Sequence, residues 1–479
     1  MKRMKTSSYI NRYEFISLVR QRWLQFLVLI LLVLVFFAVF NGKQKVDQRR
    51  SDIQSAQAKT NQKDSLGVIL LDSIEAGYTV NVPRWYMPNQ PHVIGYSYPR
   101  VAAMPPDELA IIATGQSDIY THYVQPNLYG ESFQLNYTEL SNPVQLMFGS
   151  FDLSFVLINL LPLIVIAFTY NILSQEREQG ILQVIASHPV SLYRWLLQKA
   201  LMRYLLLSGI LILLLVGLLS MAGVSLVADF SKRLTFILLT LGYLLFWFVL
   251  ACLVNLRGHS SANNAVWLIA WWILLVLLVP SSVNQMANSL YPVPSRARLI
   301  NELRVVNAEA EKKADKLLES FLRDHPELAG HEGGSTGWKE YFATQDLIKS
   351  EIQPVLDEYE MKLQQQQAWV DQLRFISPAL LLQSSFNEIS GTSTRHYEDY
   401  REQVNDFSLI WRDYFLPKIF RGEAFTKAMM AELPEFEYQS SITHKLRTAN
   451  ILAVFICSSV LLLLGVLWSR QGKTSILAH

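Results

Sequence analysis

Few side chains in this sequence are spaced for catalysis. Gly472-Lys473-Thr474 has the end of a phosphate-binding loop, but Leu467 stands where the first glycine of that motif belongs. No HExxH or GxSxG run occurs, and no Cys/His pair is closely spaced. The two cysteines, Cys252 and Cys457, lie inside apolar runs and read as small core residues. Among the nine histidines, His325 and His331 flank one Gly-rich tip. A metal there is conceivable, but solvated loop residues are the preferred reading. The 11 methionines form no thioether cluster. The chain reads as non-catalytic, with no cofactor of its own. What remains is a charge cluster, Glu176-Arg177-Glu178, followed by Gly180, four apolar residues and Pro189. That pattern makes a protein contact rather than a reaction.

The elements that hold this cluster are apolar runs. Apolar residues make up 51% of the 479-residue chain and concentrate in six stretches. These are Trp23–Phe40, Phe151–Tyr170, Tyr204–Val224, Leu234–Val254, Ala265–Val279 with its flanks, and Ile451–Trp468. Each approaches the ~20 residues that cross about 30 Å of hydrocarbon. The expected fold class is an all-α polytopic membrane protein with six transmembrane helices and two large extracytoplasmic segments, the second mainly helical. The formal charge of +2 is too even for a nucleic-acid partner. The first run is long for a signal peptide, and Val39-Phe40-Asn41 offers no small-residue cleavage site, so it reads as an uncleaved span.

Orientation follows from the flanking cations. Lys2, Arg3, Lys5, Arg12, Arg20, Arg22, Arg177, Arg194, Lys199, Arg203, Arg257, Arg470 and Lys473 share one side if both termini are cytoplasmic. Lys232 and Arg233 fall on the other side. This gives an expected organisation. Residues 1–22 form a cytoplasmic interfacial helix, with Phe15, Leu18 and Val19 on one face, and 23–40 form the first span. Residues 41–150 are a first extracytoplasmic domain. Spans two to five occupy 151–284, with a cytoplasmic coupling loop at 174–199. Residues 285–447 are a second extracytoplasmic helical domain, 448–470 the sixth span and 471–479 a cytoplasmic tail. Prolines from Pro83 to Pro126 forbid long helices there and predict a lobe of turns. Arg296–Arg323 and Lys349–Phe375 read as the arms of a helical hairpin joined at a Gly-rich tip, with Pro354 near the start of the second arm. Breaks are expected at Pro378, Gly391, Pro417, Gly422 and Pro434, and a kink at Pro162.

No Asp, Glu, Lys or Arg lies near the centre of a span, which disfavours an ion-coupled carrier. In the loop, Glu176, Arg177 and Glu178 continue the second span beyond the bilayer, and Gly180 permits a sharp turn. Ile181, Leu182, Val184 and Ile185 form a short apolar patch, Pro189 ends it and Ser191 can cap the next helix. Such teeth either enter a groove on a partner or lie on lipid.

The run FDLSFVLINLLPLIVIAFTYNILSQEREQGILQVIASHPVSLYRWLLQK resembles the membrane subunit of ABC-2 type exporters. LAIIATGQSDIY (109–120), NPVQLMFGSFDLSF (142–155) and SPALLLQSSFNEISGTSTRHYEDYREQV (377–404) with its following WRDYF narrow the resemblance. They are similar to a bacterial subgroup, a domain of unknown function often labelled as involved in multi-copper enzyme maturation. Nothing in the residues supports copper. The resemblance implies a six-span permease half in the bacterial inner membrane, paired with a second copy or a paralogous permease. It would sit on a separate ABC ATPase that holds ATP and magnesium. Glu176, Arg177, Glu178, Gly180, Ile181, Val184, Ile185 and Pro189 would be the ATPase-coupling residues. Family members usually have Thr after the glycine, where this chain has Ile181. Membrane lipid and extracytoplasmic proteins are further expected partners. The alternative is a mechanotransmission or scaffold protein, in which ATP hydrolysis moves the extracytoplasmic domains and nothing crosses.

Overall fold

A computed structural model describes residues 14–83, 86–115, 121–128, 151–182, 192–225, 227, 229–257, 260–293, 298, 301–302, 304–306, 308–309, 322–323, 336–442 and 447–471. Residues 14–20 form a short helix, α1. The helices long and apolar enough to cross a membrane number six among the described residues. They are α2 (Arg22–Glu75), α4 (Leu153–Glu178), α5 (Leu192–Met221), α6 (Phe230–Leu256), α7 (Ser261–Leu290) and α12 (Arg447–Gln471). The chain is therefore an all-α polytopic membrane protein.

The first span does not stop at Phe40. It continues as one rod to Glu75, so the expected border between span and first domain lies inside a helix. The reason is a single buried stripe. Leu31, Val35, Ala38, Gly42, Val46, Arg49, Ala56, Thr60, Gly67 and Leu71 recur at helical spacing from the bundle into the lobe. At Gly42 the backbone of Ile111 comes so close that a Cβ would meet its carbonyl oxygen at 2.5 Å.

The lobe beside this rod is built of turns, as the prolines require. It holds α3 (Pro91–Ser97), a 3-10 turn at Glu108–Ile111, and two short antiparallel strands, β1 (Ala102–Ala103) and β2 (Tyr123–Val124). The other large segment supplies α8 (Thr336–Leu373), α9 (Pro378–Ile389), α10 (Thr394–Arg421) and α11 (Lys427–Ala431). The second hairpin arm starts at Thr336, earlier than expected, so Pro354 lies inside it rather than at its entry. Pro417 likewise sits inside α10 and does not break it; the left-handed Gly422 ends that helix. In the first arm the described residues are helical, and Val306 packs, with Val355, on Leu356 of α8. The tip lies outside the described residues.

Two cores result. In the lobe, Trp411, Tyr400, Phe415, Phe420 and Phe425 of the second segment pack against Leu71, Ile94 and Ala102. Trp411 donates to the Gly95 carbonyl (3.0 Å) and Tyr400 to that of Ala102 (2.8 Å), which ties the two segments together. The other core is that of the spans, and α9 belongs to it. Phe386 lies 5.1 Å from Phe236 ring to ring, and Leu381, Leu382 and Ile389 are buried among the spans.

Pro162 produces a π turn, Val156–Leu160, rather than a simple kink; Pro280 follows a second one at Ile273–Leu278. Proline has no N–H and crowds the carbonyl four residues back, and widening the helix relieves both. Carbonyls in these stretches are taken by side chains. Tyr243 donates to Ile158 (2.9 Å), Trp272 to Asn159 (3.0 Å) and Ser377 to Leu275 (2.5 Å). Asn159 donates to the Phe155 carbonyl one turn back, and Asn171 donates to Gln175.

Candidate functional site: the loop beyond the second span

The second span ends in a turn at Tyr170–Leu173 and a last helical stretch, Ser174–Glu178. Two asparagines hold this end. Asn255 of α6 donates to the carbonyls of Thr169 (3.1 Å) and Ala251 (2.9 Å), and Asn264 of α7 donates to that of Tyr170 (3.2 Å). The carbonyls at this span end thus find partners in the fourth and fifth spans.

The acidic residues are used inside the chain. Glu176 accepts from Trp195 (2.8 Å) and pairs with Lys199 at 2.6 Å, both on α5. Lys199 also lies 3.6 Å from Glu14 of α1, and Glu14 pairs with Arg203 at 2.9 Å. Arg203 donates in addition to the Phe168 carbonyl. The two acids and two bases balance, and Glu14, Lys199 and Arg203 are all buried. Low dielectric strengthens each attraction, and the full pairing offsets the cost of removing the charges from water. Glu178 accepts from the backbone N–H (2.7 Å) and hydroxyl (3.0 Å) of Ser261, at the start of α7. Ser174 and Ser261 hydroxyls meet at 2.9 Å.

Beyond Glu178 the chain turns at Gly180, whose φ of 73° is left-handed and whose surroundings are open. Ile181 is 45% exposed, whereas Leu182 is buried with Ile172, Leu173, Leu196, Ala200 and Cys252. Of the apolar teeth, one therefore points out and one anchors the loop. Arg177 is half-buried. Val184, Ile185 and Pro189 lie outside the described residues.

Sequence reasoning missed Glu14, Asn255 and Asn264. It grouped Leu18 with Phe15 and Val19; instead Leu18 and Glu14 face the protein, while Phe15 and Val19 are about half exposed. An acid one turn before a buried leucine, within a cationic stretch, was the available signal. The two cations on the opposite side are accounted for. Lys232 pairs with Asp107 (2.7 Å) and Asp229 (3.3 Å), and Arg233 with Glu108 (2.9 Å), so the lobe neutralises them. Among the described residues, no three His, Cys, Asp or Glu side chains gather closely enough to hold a metal ion.

Comparison with known proteins places one segment. Residues 296–439 match a family model described as a domain of unknown function (DUF3526). No curated protein and no solved structure matches the chain. The match agrees with the domain-of-unknown-function part of the resemblance seen in the sequence. The chain is a multi-pass membrane protein with a segment similar to that domain between its fifth and sixth spans.

Proposed function

We propose that this protein is the permease subunit of an ATP-driven exporter of the ABC-2 type. A separate ATPase subunit holds ATP and magnesium and docks on the loop around Gly180 and Ile181. A second copy or a paralogous permease completes the transporter, which resides in the bacterial inner membrane with both termini cytoplasmic.

The observation that carries this reading is the bolting of the loop. Glu176 ties it to α5 and, through Lys199, to α1; Glu178 and Ser174 tie it to α7. A push on its exposed turn reaches three other helices without first bending a flexible link. Rigid hydrogen-bonded contacts carry displacement in this way. The tip itself, a left-handed glycine followed by an exposed isoleucine, is free to enter a partner's groove. The apolar runs of the spans carry no charged residue near their centres, which fits an energy source outside this chain.

The second reading, mechanotransmission, has its own support. Helix α9 belongs to the outer segment yet lies in the span core, and Lys232 and Arg233 clamp the lobe to α6. Movement of the spans would therefore move the lobe. Reconstituting the complex in vesicles and following both substrate flux and lobe motion separates the two. ATP-dependent flux supports export; motion without flux for every tested substrate supports the scaffold. An Ile181→Asp variant that still assembles with the ATPase and turns over ATP normally would refute docking at this loop.

A further inference from the structure

A cleft of about 300 Å³ lies between the rod α2 and the lobe, within the size range of small-molecule sites, about 300–1,000 Å³. One wall is a single face of the rod, from Asp52 to Lys63; the other is formed by Tyr98, Tyr123 and Gln125. The cleft has a fixed shape. Gln125 donates to Thr60 across it at 3.0 Å. The Tyr98 ring lies against Gly67, where a Cβ would meet it at 2.7 Å, so only glycine lets the ring settle there. Arg100 pairs with Asp64 beside that ring, and the β1–β2 pairing sets Tyr123 opposite the rod.

Two features identify the occupant. Lys59 and Lys63 stand one turn apart on the same face, exposed, and neither has an ion pair or hydrogen bond among the described residues. Like charges at that spacing repel, which costs helix stability and returns nothing locally. The one lining carboxylate, Asp52, is held by Gln48 at 2.9 Å. The opposite wall offers phenol and amide groups suited to hydroxyls, and ring faces suited to the C–H side of a sugar. Distance excludes a lipid headgroup. The apolar run of α2 ends at Phe40, and at ~1.5 Å per residue Asp52 and Lys63 lie about 18 and 34 Å further along the rod. The headgroup layer is only about 5–8 Å deep.

We infer that this cleft binds a small water-borne hydroxylated anion, a sugar carboxylate or sugar phosphate, with Lys59 and Lys63 on its charge. The inference does not depend on the ABC reading, since it concerns the lobe alone. The full chain in neutral-lipid nanodiscs would be titrated calorimetrically with glucuronate, glucose 6-phosphate, glucose and inorganic phosphate. The two sugar acids should bind at least tenfold tighter than glucose and than phosphate. Lys59→Ala with Lys63→Ala should weaken both at least tenfold, Gly67→Ala should weaken them by displacing Tyr98, and Arg50→Ala should leave them unchanged. Nanodiscs containing anionic lipid should give the same affinities. No saturable binding of either sugar acid, equal binding of glucose or of phosphate, or insensitivity to the double lysine variant would overturn the proposal. Loss of binding in anionic nanodiscs would also overturn it, because the lysines would then be reading headgroups.

Discussion

Removing the Glu176 carboxylate should cost far more in the native chain than in one already lacking Lys199. In the native protein Glu176→Ala takes one negative charge from a balanced buried quartet and orphans the Trp195 N–H. Breaking a buried pair from one side costs about 3–5 kcal/mol. Lys199 keeps a second carboxylate, Glu14, at 3.6 Å, so the lower end applies, about 3 kcal/mol. Lys199→Ala alone leaves Glu176 without its ion-pair partner, with Arg203 held by Glu14, and should cost a similar amount. With both residues removed, Glu14 and Arg203 remain as a neutral pair at 2.9 Å. The double variant should therefore be less destabilised than the sum, by about 1.5–3 kcal/mol of coupling. The assay is equilibrium unfolding in mixed micelles for all four proteins, with hydrogen exchange of residues 174–182 as a local readout. The single variants should open that segment together with α1. Additivity within about 0.5 kcal/mol would refute the connected network.

Three further outcomes are expected. Lys232→Ala with Arg233→Ala should loosen the lobe from α6 by about 1.5–3 kcal/mol, the worth of hydrogen bonds to charged groups, without inverting the membrane topology. Faster hydrogen exchange at residues 102–112, with unchanged cysteine labelling on either side, is the check. Gly42→Ala should destabilise by about 1–3 kcal/mol, because the new methyl meets backbone at Ile111. Gly209→Ala, with nothing near its Cβ position, should be neutral or slightly stabilising by thermal midpoint. Burial raises the Asp399 pKa, but hydrogen bonds from Ser441, Gln403 and Tyr438 outweigh it and hold the carboxyl below its usual 3.8. A depressed acid stabilises above its unfolded value and loses that contribution as pH falls through the folded one. Protection of residues 438–441 should thus persist to below pH 3.8 and then drop, and Asp399→Asn should abolish that step.

Much of this architecture was legible because a bilayer demands long apolar runs, and six of them stand out. What was hidden lies where the pattern changes chemistry without changing geometry. The stripe on α2 passes from Leu31 and Val35 to Gly42, Ala56, Thr60 and Gly67, so its apolar character fades while its periodicity persists. The polar run after Phe40 looked like a new domain for that reason. Pro354 looked like a helix start and Pro417 like a stop, yet both lie inside continuous helices. At the loop, Gly180 and its turn were readable from residue type alone. The partners of Glu176 and Glu178 were not, because they come from other helices: Trp195 and Lys199 of α5 and Ser261 of α7. Glu176 turns into its own chain, whereas Glu178 bonds Ser261 and stays exposed. Glu178, the turn and Ile181 are therefore the exposed described part of the loop that a partner can reach.

The most direct measurement is a photo-crosslink from position 181 in the complex purified from native membranes. A photoreactive residue replacing Ile181 should crosslink to an ATP-hydrolysing subunit. Crosslinking should change between ATP-bound and nucleotide-free states, and Gly180→Val should abolish both the crosslink and ATP turnover. Crosslinks to lipid alone, from a preparation that hydrolyses no ATP, would contradict it.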